Sequence, residues 1–386
     1  MSIIPDIRYM RRRDGEQRAT FFELFFDLVY VFAITQLSHH LLGQLTWRGA
    51  AETGFLLLAV YWAWNYTTWM ANWFDPESVP VRLVLTFVML ASLLMSVAIP
   101  TGFGGQALLF ACSYLALQLG RNTFVVLVTP AGDFHRNFVH ILAWTVLSAP
   151  LWIVGGLVDG GPRWVLWLGA LGLDLAAPLL RYWIPGAGNT PMSQWQIGGG
   201  HFAERFQLFV IIALGESIVL TGVTASSVGM SAPVAVALGL AFISATALWW
   251  LYFGDVASSV VRRLSSSAAD EAGQIGRDVY TYLHIPIVAG IVLAAVGDEL
   301  VIAHPSSPLH LAGALAALAG PAIYLLGLMA CAARVGRPHR WPRTVAAALL
   351  IIAVPVAAHA NGLLVAGFVA VVLAALVVTE QIGGDS

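Results

Sequence analysis

The chain has 386 residues, 59% hydrophobic and 10% charged, with a formal net charge of −2 and a mean hydropathy of +0.79. These values exclude a soluble globular domain and point to a polytopic membrane protein in contact with the lipid bilayer. No basic tract or acidic tail offers a footprint for nucleic acid, and Cys112 and Cys331 both lie in apolar runs that do not suit a disulfide framework.

Residues 1–20 are charged and lack a short apolar core with a small-residue cleavage site, so they read as a retained cytoplasmic tail. A bilayer core of ~30 Å needs roughly 20 apolar residues per helix. On that ruler the sequence predicts twelve spans, at 21–43, 50–74, 79–100, 105–129, 137–158, 163–184, 202–223, 232–257, 276–300, 310–333, 343–359 and 361–381. The expected fold is an all-α integral membrane protein of about twelve transmembrane helices. Two polar segments, 185–200 and 258–276, read as irregular cytoplasmic linkers.

Charge placement supports this count. All 19 cationic side chains are Arg. With both termini cytoplasmic, fifteen fall in inner segments and only Arg48 and Arg163 in outer loops, a strong positive-inside asymmetry. Trp47, Trp69, Trp73, Trp164, Trp167, Trp183, Trp195 and Trp341 lie near predicted helix ends, where an aromatic belt is expected.

Sliding Phe21 onto Phe202 places Glu23 on Glu204, Phe25 on Phe206 and Trp69 on Trp250. This suggests two parallel six-helix repeats, a first half at 21–184 and a second at 202–381, joined by a cytoplasmic linker at 185–201.

Acids inside spans are the functional signal, because an ionised group at membrane depth is costly unless paired or used. Glu23 and Asp27, at i and i+4, share one helix face. They suit a proton relay or cation site, or alternatively a helix N-terminus paired with nearby Arg. Glu204, Arg205 and Glu216 repeat the theme in the seventh helix, with Glu216 about 20 Å along it by helical rise. Asp174 precedes Arg181 by seven residues on one face, and Arg121 is flanked by Gln118 and Asn122. Each of these could equally be a structural ion pair. His284, near Pro286, reads as a hydrogen-bonded packing residue. His39 and His40 are adjacent and no HExxH, P-loop, GxSxG or CxxC motif occurs, so neither a metal nor a cofactor is indicated.

RATFFELFFDLVYVFAITQLSHHL closely resembles the opening motif of the bacterial low-temperature-requirement protein A family. HFAERFQLFVIIALGESIV resembles its second signature, and YTYLHIPIVAGIVLAAVGDE is similar to a third family stretch. The resemblance covers nearly the whole chain and implies a multi-pass protein of the bacterial cytoplasmic membrane. It supplies no catalytic residues, so Glu23, Asp27, His201, Glu204, Arg205 and Glu216 carry over only as motif positions. A remoter likeness is to potassium channels built from six-helix repeats, whose first helix carries Arg, three residues, then Phe-Ser-Asp. Here Phe25-Phe26-Asp27 follows Arg18 at a longer spacing, which argues against a potassium pore.

Three functions therefore follow as expectations. The first is a transporter or channel for a proton, another cation or a small solute, lined by Glu23, Asp27, Glu204, Arg205, Glu216, Arg121 and Asp174. The second is an intramembrane enzyme acting on a lipid or hydrophobic metabolite, with Glu216 or Asp27 as general acid. The third is a structural or regulatory membrane protein.

Overall fold

The computed structural model describes residues 9–11, 18–191, 195 and 199–384. Arg8, Arg12 and Arg13 of the charged tail lie outside the described residues, as do 192–194 and 196–198 of the expected linker. Among the described residues the chain is all helical, with only isolated bridge pairs of strand type.

Among the described residues twelve helices follow in order. They are α1 (Phe21–Gly43), α2 (Trp47–Trp73), α3 (Val79–Ala98), α4 (Ala107–Val128), α5 (Asp133–Leu157), α6 (Gly161–Leu179), α7 (Gly199–Val228), α8 (Ala232–Ser266), α9 (Ala269–Ala303), α10 (His310–Arg334), α11 (Trp341–Ala357) and α12 (Gly362–Gly384). Nine of them are long and apolar enough to cross a membrane. The other three are α2, α6 and α11. Arg48 and Glu52 with many Trp, Tyr, Thr and Asn make α2 less apolar, Arg163 and Asp174 do the same for α6, and α11 has only 17 residues.

Local chemistry sets the helix starts. Proline stands in the first turn of α3, α6, α8 and α11, where its missing N–H costs no intrahelical bond. Ser231 caps α8 by accepting from Val234 N at 3.5 Å. Gly229, at φ +84, supplies the left-handed residue that separates α7 from α8.

The segment 258–276, expected to be irregular, is mostly helical. It continues α8 to Ser266 and resumes at Ala269, so only Ser267 and Ala268 interrupt the helix. Val256, Val260 and Leu264 recur every four residues and are buried, while Arg262 and Arg263 face outward. That amphipathic stripe extends the helix although its mean polarity suggested a loop. Each of the two long helices contains a π-type segment, Tyr252–Val256 in α8 and Gly276–Leu283 in α9.

The helices form two compact units. The first comprises Met1–Gln36, Phe55–Arg205 and Leu264–Arg277. It is rich in aromatic contacts: Phe55 stacks on Trp167 at 5.5 Å, and Trp69 meets Phe202 at 4.5 Å and Trp195 at 5.3 Å. The expected aromatic belt is therefore divided. Trp47, Trp183 and Trp341 are exposed, but Trp69, Trp73, Trp167 and Trp195 are buried core residues.

The second unit comprises Leu37–Gly54, Phe206–Arg263 and Asp278–Ser386. Its tightest pairing is α9 with α10. A Cβ on Gly320 would sit 2.4 Å from Ala294 N, and one on Gly297 would sit 2.4 Å from Ala317 Cα. Glycine at these two positions lets the backbones approach, the usual means of packing helices in a bilayer. His284 is held in the same unit by Tyr252 Oη at 2.8 Å and Val279 O at 2.8 Å, a packing role as expected.

Candidate functional site

Thr20-Phe-Phe-Glu23 opens α1 as a capping box. Glu23 N donates to Thr20 Oγ1 at 3.3 Å, and the Glu23 carboxylate accepts from Thr20 N at 2.8 Å. Glu23 is thus anchored by local helix chemistry before any tertiary partner is counted. One turn later on the same face comes Asp27, and both are buried, at 1% and 2% exposure.

The first turns of α7 present a complementary pair at the same spacing, His201 and Arg205, each 1% exposed. His201 Nε2 lies 2.9 Å from Glu23 Oε1, and Arg205 Nη2 donates to Asp27 Oδ1 at 2.7 Å. The result is a two-rung ladder with a rung spacing of about 6 Å. Because 23 pairs with 201 and 27 with 205, the opening turns of α1 and α7 run in the same direction.

Three further contacts complete the cluster. Arg11 Nη2 donates to Glu23 Oε2 at 2.9 Å, Trp64 Nε1 donates to Asp27 Oδ1 at 2.8 Å, and Arg205 Nη1 stands 3.9 Å from Glu23 Oε1. Two carboxylates meet two guanidiniums, so the charges balance with no added ion. Balance does not mean saturation. Among the described residues, Asp27 Oδ2, His201 Nδ1, Arg205 Nε and Arg205 Nη1 are buried without a hydrogen-bond partner.

A second buried network lies in the same unit. Asp174 on α6 accepts from Tyr114 Oη at 2.8 Å, Ser148 Oγ at 2.8 Å and Trp152 Nε1 at 3.1 Å. Gln118 Nε2 donates to Tyr114 Oη at 3.0 Å, and the Gln118 carbonyl accepts a short bond from Arg121 Nη2. Arg121 also donates to Thr67 Oγ1 at 3.1 Å and lies 5.2 Å from the Tyr66 ring centre. Asp174 and Arg121 are therefore joined through two neutral side chains and not by a direct ion pair. Arg181, expected on the Asp174 face, falls outside α6; its φ of 51° turns it away and it is exposed.

Trp64 of the first network and Ala63 and Thr67, which receive Arg121, occupy one turn of α2. The two networks thus flank a single turn of that helix.

The other expected residues are placed differently. Glu204 leaves the ladder and accepts from Ala19 N at 2.8 Å. Glu216, buried at 2% exposure, belongs to the second unit, eleven residues along α7 from Arg205. A groove of about 520 Å³ between α7 and α8 is lined by Ser217, Ile218, Thr221 and Phe242 among others, and Glu216 is not on its lining.

Sequence reasoning left out Thr20, Arg11 and Trp64 as site residues and kept His201 only as a motif position. Two signals could have found Thr20 and His201, the T-x-x-E box and the H-x-x-x-R spacing that matches E-x-x-x-D one helix face to another, while no local pattern points to Arg11 or Trp64.

Comparison with known proteins agrees with the extent of these motifs. The chain is 38% identical over 324 residues to an uncharacterized protein of Rhizobium meliloti (strain 1021), a match covering 83% of this chain and 79% of that protein. No solved structure matches. The family model for bacterial low temperature requirement A protein (LtrA) matches residues 18–378, a span that holds both rungs of the ladder and the Asp174–Arg121 network, and the chain belongs to the LtrA family.

Proposed function

We propose that this multi-pass membrane protein is a proton-linked transporter or channel of the bacterial cytoplasmic membrane. In this reading Asp27 is the group that exchanges a proton, with Arg205 and His201 as its responsive partners. The observation that carries it is the unused hydrogen-bonding capacity at this cluster: Asp27 Oδ2, His201 Nδ1, Arg205 Nε and Arg205 Nη1 are buried without hydrogen-bond partners among the described residues.

A purely structural ion pair gains by satisfying all its donors and acceptors, since each buried group left unmet costs ~1–3 kcal/mol. A group that must take up and release a proton needs that spare capacity for water or a moving ion. Protonated Asp27 would no longer require Arg205, and α7 would lose one charge-assisted rung to α1 while the His201–Glu23 rung remained. The Arg121–Gln118–Tyr114–Asp174 chain supplies a second run of polar groups at the same turn of α2. Glu204 and Glu216 are proposed as further polar positions for a cation or small solute.

We assign both termini to the cytoplasmic side from the arginine asymmetry, and the paired starts of α1 and α7 support a parallel two-repeat arrangement with halves at 21–184 and 202–381. The test of function is flux in proteoliposomes carrying a pH dye and an imposed potassium gradient. Wild type is expected to dissipate the proton gradient or accumulate a solute in response to it, and Asp27→Asn to lose this at equal reconstitution. Wild type that leaves pH and potassium gradients untouched and takes up no solute from a panel would remove the reading.

A further inference from the structure

In the second unit, the short segment from Arg334 to Arg343 places an arginine every third residue: Arg334, Arg337, Arg340 and Arg343. Three of these converge on two acids. Asp255 of α8 is bound by Arg337 through a short contact and by Arg340 Nη2 at 3.1 Å. Glu380 of α12 is held by Arg343 at 2.5 and 2.7 Å and by Arg340 Nη1 at 3.6 Å. Three guanidiniums against two carboxylates leave one positive charge in excess. Arg343 is buried in its pair, whereas the Arg337 and Arg340 side chains remain 39% and 32% exposed. The acids aim these two arginines without exhausting them, since each guanidinium has five N–H donors.

A polar pocket of about 270 Å³ opens at this point, with Gly254, Asp255, Arg337, Arg340 and Glu380 on its wall. It shares Trp250 and Val377 with an adjoining apolar groove of about 300 Å³, lined also by Phe242, Ile243, Thr246 and Val378. From Phe242 to Asp255 the two features cover about 20 Å of α8 by helical rise, against ~15 Å for one leaflet of a ~30 Å hydrocarbon core. Trp249, Trp250 and Trp341 are exposed near the polar end, where amphipathic rings favour the headgroup level.

We propose that this site binds an anionic phospholipid, the headgroup phosphate at Arg337 and Arg340 and an acyl chain in the groove between α8 and α12. A soluble anion would use the polar pocket alone; the continuity of charge with an apolar channel of leaflet length fits a lipid. Basic pockets between spanning helices are a recurrent way of holding such headgroups.

The test is native mass spectrometry of the full chain in neutral detergent, with phosphatidylglycerol and phosphatidylcholine of identical acyl chains in equal amounts. Wild type should retain phosphatidylglycerol roughly thirtyfold better, as expected for two arginines acting on its net negative headgroup, whereas the choline ammonium offsets the phosphate of phosphatidylcholine. Arg337→Gln with Arg340→Gln should bring the ratio near one. Val378→Trp, which fills the groove and keeps every arginine, should lower retention of both lipids, and it keeps the test decisive if the double variant fails to fold. Equal retention by wild type, an unchanged ratio in the double variant, or unchanged retention in Val378→Trp would each overturn the proposal. Displacement of phosphatidylglycerol by inorganic phosphate would overturn it too, in favour of a soluble anion.

Discussion

Replacing Arg205 with Met tests the ladder directly. The substitution keeps most of the side-chain volume and removes the charge, leaving Asp27 buried with Trp64 Nε1 as its remaining hydrogen-bond donor at 2.8 Å. Removing one member of a buried pair costs about 3–5 kcal/mol, because the other charge stays desolvated. Glu23 is less dependent, since Arg11, Thr20 and His201 all remain on it at 2.8–3.0 Å. The geometry therefore predicts unequal coupling. Arg205→Met combined with Asp27→Asn should fall short of the summed single effects by roughly 1–3 kcal/mol, whereas Arg205→Met with Glu23→Gln should be nearer additive, the Arg205–Glu23 separation being 3.9 Å against 2.7 Å to Asp27. The assay is a double-mutant cycle on denaturant unfolding in detergent micelles. Additivity in the Asp27 cycle, or a loss below about 0.5 kcal/mol for Arg205→Met alone, would refute the claim that this rung is a desolvated ion pair.

Two other outcomes follow from single contacts. Tyr114→Phe removes the donor that links Gln118 to Asp174, leaving Asp174 with Ser148 and Trp152; a loss of about 1–3 kcal/mol is expected, checked by the same unfolding assay, with Ser148→Ala compounding it. Gly320→Val places a branched side chain against the Ala294 backbone, where a Cβ alone would come within 2.4 Å; the expected result is a lower thermal midpoint by differential scanning fluorimetry from overpacking of about 1–3 kcal/mol or more, with Gly239→Val, whose Cβ meets nothing within 4 Å, as the neutral comparison.

Much of the architecture is legible in the sequence because the bilayer imposes a length. The predicted starts and ends of α1, α3, α10 and α12 lie within about three residues of those observed. What failed was composition used as a proxy for conformation. Ser258–Gly276 is polar on average, yet Val260 and Leu264 continue from Val256 a helical period that a mean over the segment erases. The tryptophans near helix ends failed similarly, since position along a helix does not say which face is buried. Trp73 and Trp341 both stand at helix ends, and one is core while the other is exposed.

The site was half legible for a related reason. Periodicity places Glu23 and Asp27 on one face, but the identity of their partners is a tertiary fact; nothing local to α1 specifies an approach by His201 and Arg205. Local chemistry did specify the capping box, and that box separates the two acids. Glu23 is fixed by its own helix start as well as by Arg11 and His201, so its burial has a sufficient structural cause. Asp27 has no such cause. It sits in the second turn, past the reach of capping, and holds one oxygen to Arg205 and Trp64 while the other makes no hydrogen bond among the described residues. A buried pair of this kind is no more stabilising than well-packed apolar side chains of the same volume. Fold stability alone therefore does not require an acid at position 27, which supports placing the proposed proton exchange at Asp27 while Glu23 sets the helix that carries it.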